Sequence, residues 1–200
     1  MPQTILQELL SEFLEDLPLM LAAGLIYWFV RRHIHKKRFG SGFKEVRQRA
    51  RLNEIIGLLL VMWAALIVCS TLMPPWGEFR HLSIFINFIP RWELIPEELL
   101  KIIRHGFAGA SHELLNVLMF VPIGLALPFV LKSHKFGQTV LVGFCFTFAI
   151  EFLQGFSNQR DGNTDDLICN TLGVIVGYLL FLLIKLILPK FTEKCMTKAE

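Results

Sequence analysis

Three pairs of polar side chains interrupt long apolar runs in this sequence. Glu113 and Asn116 lie three residues apart, Glu151 and Gln154 likewise, and Asp166 and Asn170 lie four apart. At these spacings each pair projects from one face of a helix. Arg160, Asp161 and Asn163 fall between the second and third pairs, and Asp165 adjoins Asp166. Carboxylates and amides gathered at one level can hold a divalent cation through oxygen ligands. They can also serve as a general acid and base once burial shifts their proton affinities. Arg160 can grip a phosphate or a carboxylate with two parallel hydrogen bonds. The sequence has no GxSxG, HExxH, P-loop or paired-Glu intramembrane protease signature. Ser111 and Ser157 lie near the cluster without an assigned base.

Each residue also has a plainer reading. Asp165 or Asp166 can be a helix N-cap, and both suit the positive end of the last long helix. Asn116 and Asn170 can be hydrogen-bonding glue between helices. His112 reads as an ordinary interfacial histidine. Glu151, between Ile150 and Phe152 inside an apolar run, needs a partner, and Arg160 is the natural candidate. The candidate cluster is therefore Glu113, Asn116, Glu151, Gln154, Arg160, Asp165, Asp166 and Asn170. No cofactor is expected, although the carboxylates leave a divalent cation open.

The elements that position these residues follow from composition. Of 200 residues, 54% are hydrophobic and 18% charged. Soluble domains carry roughly 45–50% and about 25%, so this chain has too little polar surface to fold in water. A membrane helix takes about 20 mostly apolar residues. The stretches 55–77, 114–131, 136–156 and 167–184 meet that length, and 17–30 meets it if its helix starts near Leu10. The expected fold is all-α, a polytopic membrane protein of about five transmembrane helices.

Charge sets the expected orientation. Fifteen of the twenty Lys and Arg residues fall in the 31–54 segment, in the turn holding Lys132 and Lys135, and in the tail from Lys185. Cytoplasmic loops carry such an excess. The N terminus is then outside and the C terminus inside, and the polar pairs lie just below the outer surface. Residues 1–54 form a first membrane helix with a basic cytoplasmic loop, residues 55–189 a membrane domain, and residues 190–200 a cytoplasmic tail. The segment before Leu17 carries Glu8, Glu12, Glu15 and Asp16 and no basic residue, so it does not read as a secretory signal. Its apolar face either lies in the outer interface or extends the first span.

The run RRHIHKKR at 31–38 reads as a topology anchor on anionic lipid headgroups. No nucleic-acid motif accompanies it, so no nucleic-acid partner is expected. The long outer loop between the second and third spans holds an apolar piece, Ile84 to Pro90, and a surface helix opening at Pro96. Four cysteines form no CxxC pair and read as packing residues, although Cys69 and Cys169 lie at one level. Gly173 and Gly177 make a GxxxG that suits packing within the bundle more than dimerisation. The sequence assigns no oligomeric state.

Several of these segments together resemble the VanZ-like membrane proteins. Residues 116–124, NVLMFVPIG, are similar to that family's N…F-x-P-x-G helix, and Glu151-Phe-Leu-Gln154 to its ExxQ. Arg160 to Asn170, with Thr171-Leu172-Gly173 and Gly177-Tyr178, resembles its R…DD…NTLG…GY ending. Asn87-Phe-Ile-Pro90 resembles its N-x-x-P element, and Thr71-Leu72 with Pro74 the end of the preceding span. The resemblance covers roughly residues 55–182. Asn163 departs from it, since many members carry an Asp there, and a metal ligand at that place is in doubt.

The resemblance implies a bacterial cytoplasmic-membrane protein, in a family whose founding member is associated with teicoplanin resistance. The expected function is a contribution to glycopeptide resistance through an outer-leaflet polar site that engages a lipid-linked or amphiphilic ligand. The alternative is a membrane enzyme acting on a lipid or lipid-linked cell-wall precursor with Glu151 and Asp166. A transporter would need polar groups near the midplane and access from both sides. A structural partner of envelope enzymes would use the polar groups as interhelical locks.

Overall fold

A computed structural model describes residues 2–39, 43–72, 86–87, 112–155 and 162–196. The described residues form six helices: α1 (Pro2–Phe39), α2 (Phe43–Leu72), α3 (His112–Leu131), α4 (Phe136–Gln154), α5 (Thr164–Ile187) and α6 (Pro189–Met196). One parallel pairing of two residues, β1 (Ile86–Asn87) with β2 (Gly162–Asn163), joins the segment after α2 to the start of α5. The apolar piece 84–90 apart from its two paired residues, the expected surface helix at Pro96, and Arg160 lie outside the described residues.

The chain is an all-α polytopic membrane protein. Four helices are long and apolar enough to cross a bilayer: Arg51–Leu72, Glu113–Leu131, Phe136–Gln154 and Thr164–Ile187. The expected first span does not join them. α1 is one continuous 38-residue helix, so the N-terminal segment extends it. Its uncharged run from Leu17 to Val30 is closed off by Asp16 and Arg31. Fourteen helical residues rise about 21 Å, against a hydrocarbon core of about 30 Å. α2 is described as far as Leu72, and the rest of the expected stretch, residues 73–77, lies outside the described residues.

α3 and α5 form the centre of the bundle. A Cβ at Gly177 would overlap the Val121 carbonyl oxygen, and one at Gly173 the Val117 carbonyl oxygen. Only glycine lets these backbones approach so closely. The GxxxG therefore packs α5 on α3 within the chain, as its sequence suggested. Around this seam Ile67, Phe120, Ile123, Leu127, Ile150 and Val174 form one core cluster. Phe129, Tyr178, Phe181 and Cys195 form a second, closed by the short α6. The Trp63 indole donates to the Met119 carbonyl at 2.8 Å, and the Asn53 amide donates to the Phe129 carbonyl at 2.5 Å. Both bonds fasten α2 to α3. α1 packs on α2, with Gly24 against Met62 and Leu58.

Candidate functional site

The polar pairs meet where α3 and α5 begin and α4 ends. Asn163 caps α5: its backbone is extended (φ −123°, ψ 128°), and its side-chain oxygen accepts the Asp165 N–H at 3.2 Å. This is the usual N-cap bond. The cap is thus Asn163, and neither Asp165 nor Asp166 fills that role. Both aspartates stand in the first turn, where negative charge meets the positive end of the helix.

Glu151 reaches the same helix start from α4. Its Oε2 accepts the Asn163 backbone N–H at 3.0 Å, and the residue is buried. A carboxylate is costly in an apolar interior unless donors are aimed at it. The chain supplies one such donor by ending the loop with an extended Asn163. The same residue pairs with Asn87 in the short parallel ladder. One position therefore ties α4, α5 and the segment after α2.

Asn116 completes the join from α3. Its Nδ2 donates to Asp166 Oδ1 at 2.7 Å. One turn deeper, Asn170 Nδ2 donates to Thr147 Oγ1 on α4 at 2.8 Å, and both residues are buried. Asn170 Oδ1 has no hydrogen-bond partner among the described residues. Glu113 is half-buried on α3, and its charge reaches Cys169 together with those of Asp166 and Asp165.

Gln154 turns elsewhere. Its Nε2 donates to the Thr71 carbonyl at 3.1 Å, so it fastens the end of α4 to the end of α2. Thr71 sits in the last turn of its helix, where carbonyls lack intrahelical partners. Arg160 and Asp161 lie outside the described residues, so the expected Glu151–Arg160 pair does too. Among the described residues, no group of three or more His, Cys, Asp or Glu side chains is arranged to hold a metal ion.

Two contributors escaped the sequence reading. In the sequence Thr147 is one hydroxyl in an apolar helix, yet it stands four residues before Glu151. It continues the buried strip of Thr139, Gly143, Thr147, Glu151 and Gln154. Asn163 stands out in the sequence as a departure from the family's Asp, although an Asn before an acidic first turn is a strong capping signal.

The cluster offers fixed acceptors and donors at one end of a bundle whose outer faces are apolar. Leu141, Phe148, Leu179 and Leu186 are among the exposed side chains there. Such a site can orient a polar headgroup while its apolar tail stays in lipid. Neither the curated proteins nor the solved structures give a match. The sequence model of VanZ/LLP1 matches residues 56–185, a stretch that holds every residue of the cluster. That match spans nearly two thirds of this multi-pass membrane protein, and the chain belongs to the VanZ/LLP1 family.

Proposed function

We propose that the cluster at the start of α5 binds the polar head of a lipid-linked or amphiphilic envelope molecule. In this reading the site faces the outer leaflet of a bacterial cytoplasmic membrane, and binding contributes to resistance against teicoplanin-type glycopeptides. The observation that carries the reading is the convergence of Glu151, Asn163, Asp166 and Asn116 from three helices at one end of an apolar bundle. The basic excess at the other ends of these helices supports the orientation. Membership of the VanZ/LLP1 family supports the link to glycopeptides.

Donors already aimed at Glu151 and Asp166 hold both as fixed acceptors. That suits positioning a ligand better than passing a proton, and it favours binding over catalysis. In this reading Arg160, nine residues after Glu151 and inside the family match, supplies the cation for a phosphate or carboxylate.

The test is equilibrium binding of teicoplanin, and separately of a polyprenyl-phosphate lipid, to the full chain in nanodiscs. Asp166→Asn and Arg160→Ala each weaken binding of one of these probes by about tenfold or more, the cost of a lost charged contact. Equal binding of both probes by the wild type and both variants contradicts the proposal.

A further inference from the structure

The seam between α4 and α5 is layered turn by turn. Thr147 meets Asn170 through the amide bond of 2.8 Å. One turn inward, Gly143 faces Val174: a Cβ at Gly143 would lie 2.6 Å from Val174 Cγ2. α4 thus counts down as α5 counts up, so the two helices run antiparallel and in step. Four residues in the other direction bring Glu151 and Asp166 to the layer above. Successive layers are about 6 Å apart, the rise of four helical residues. The middle layer is closed to the outside, with Thr147 0% and Asn170 3% exposed. Val174, also fully buried, is its apolar floor.

This middle layer holds a polar atom without a protein partner. Asn170 Nδ2 donates to Thr147, while Asn170 Oδ1 is buried and has no hydrogen-bond partner among the described residues. An unpaired carbonyl oxygen in an apolar interior is costly. No cationic side chain is at hand on the three central helices. α3 and α4 contain no Lys or Arg, and the first in α5 is Lys185, fifteen residues beyond Asn170. Turning the amide over only exchanges the unpaired group. Oδ1 then takes the Thr147 hydroxyl proton, and the N–H groups of Nδ2 are left to place. The missing partner is therefore one that suits either face of the amide. Water both donates and accepts, and buried waters bond to polar groups that the protein leaves unsatisfied.

We propose that the Thr147–Asn170 layer binds a single water molecule inside the bundle. The water donates to Asn170 Oδ1 and to the second lone pair of the Thr147 hydroxyl. It carries hydrogen bonding one turn deeper than Glu151 and Asp166, and Val174 ends the polar path there. The water belongs to the seam itself, so it stands whether or not the cluster above binds a headgroup.

X-ray hydroxyl-radical footprinting of the full chain in nanodiscs tests the site. Radiolysis splits a bound water in place, so a side chain beside it is oxidised even where bulk radicals do not reach. Val174, one layer below, is oxidised in the wild type. Phe181 is equally buried, among Phe129, Tyr178 and Cys195, and stays unmodified. Thr147→Val combined with Asn170→Leu replaces both polar partners by apolar groups, a change that is close to neutral for folding. This double variant loses the Val174 product. Wild-type oxidation of Val174 no greater than that of Phe181 overturns the proposal. Undiminished oxidation of Val174 in the folded double variant overturns it as well. A melting temperature raised by sodium chloride over choline chloride, in the wild type alone, identifies a cation in the layer and overturns the water. The wild-type comparison of Val174 with Phe181 carries the test by itself if the double variant fails to fold.

Discussion

The Asn116 amide on α3 donates to the Asp166 carboxylate on α5 at 2.7 Å, joining residues fifty apart in the chain. Hydrogen bonds to charged groups contribute roughly 1.5–3 kcal/mol. Interhelical bonds in membranes average only about 0.6 kcal/mol. The charged acceptor puts this bond toward the upper part of that span. Asn116→Leu is expected to cost about 1–2 kcal/mol in mixed-micelle unfolding. Asp166→Asn retains an acceptor oxygen and costs less. A double-mutant cycle checks that the two losses are coupled.

Thr147→Val keeps the shape of the side chain and removes the partner of Asn170 Nδ2. Asn170 is then left with both ends of its amide unpaired among the described residues. The expected loss is about 1–3 kcal/mol, the cost of stranding a buried polar group. Asn170→Leu in the same background recovers part of it, because the stranded group is gone. The same unfolding assay measures both.

Gly177→Ala places a methyl group against the Val121 carbonyl, 2.7 Å from the Leu125 nitrogen and 2.9 Å from the Gly124 Cα. Backbone cannot yield as a flexible side chain does, so the expected loss is about 2 kcal/mol or more. Gly137→Ala meets nothing within 4 Å and is expected to be neutral, or stabilising by up to about 1 kcal/mol. Thermal melting of the two variants side by side separates packing from helix propensity. Size-exclusion with light scattering shows no change of oligomeric state that only Gly177→Ala produces.

The His35–Glu54 contact carries a pH dependence. Burial, then Arg31 and Lys132, hold the His35 pKa below its ordinary value of 6.5, with Glu54 working against them. A histidine with a depressed folded pKa binds its proton more readily when unfolded. Its contribution is complete above the unfolded value and is lost as pH falls from there through the folded value. The protection factors of amides in the last turns of α1, exchange taken relative to the intrinsic rate at each pH, are expected to fall as pH drops below about 6.5. His35→Gln flattens that profile in the same acid range. An unchanged profile in the variant contradicts the assignment to His35.

Most of the helical layout was legible, because apolar runs such as Ile55 to Leu72 and Leu114 to Leu131 leave few alternatives in 200 residues. The polar pairs were legible for the same reason, since each amide or carboxylate stands out against an apolar background. α1 is the least clear of the runs, because its uncharged stretch from Leu17 to Val30 is short and Glu12, Glu15 and Asp16 stand before it. The direction of each side chain was not legible. Gln154 shares a helix face with Glu151 but bonds Thr71, an outcome set by where α2 ends. The capping by Asn163 was hidden because its neighbours Asp165 and Asp166 are equally good caps by residue type.

The central claim is that the cluster at the start of α5 acts on a ligand and does more than lock helices together. Glu151→Gln separates the two, because the amide oxygen can still accept the Asn163 N–H while the charge is gone. The direct measurement is teicoplanin susceptibility of a deletion strain complemented with this variant at matched membrane levels and matched melting temperature. The account predicts that the variant fails to restore the wild-type level of resistance. Full restoration by Glu151→Gln contradicts it.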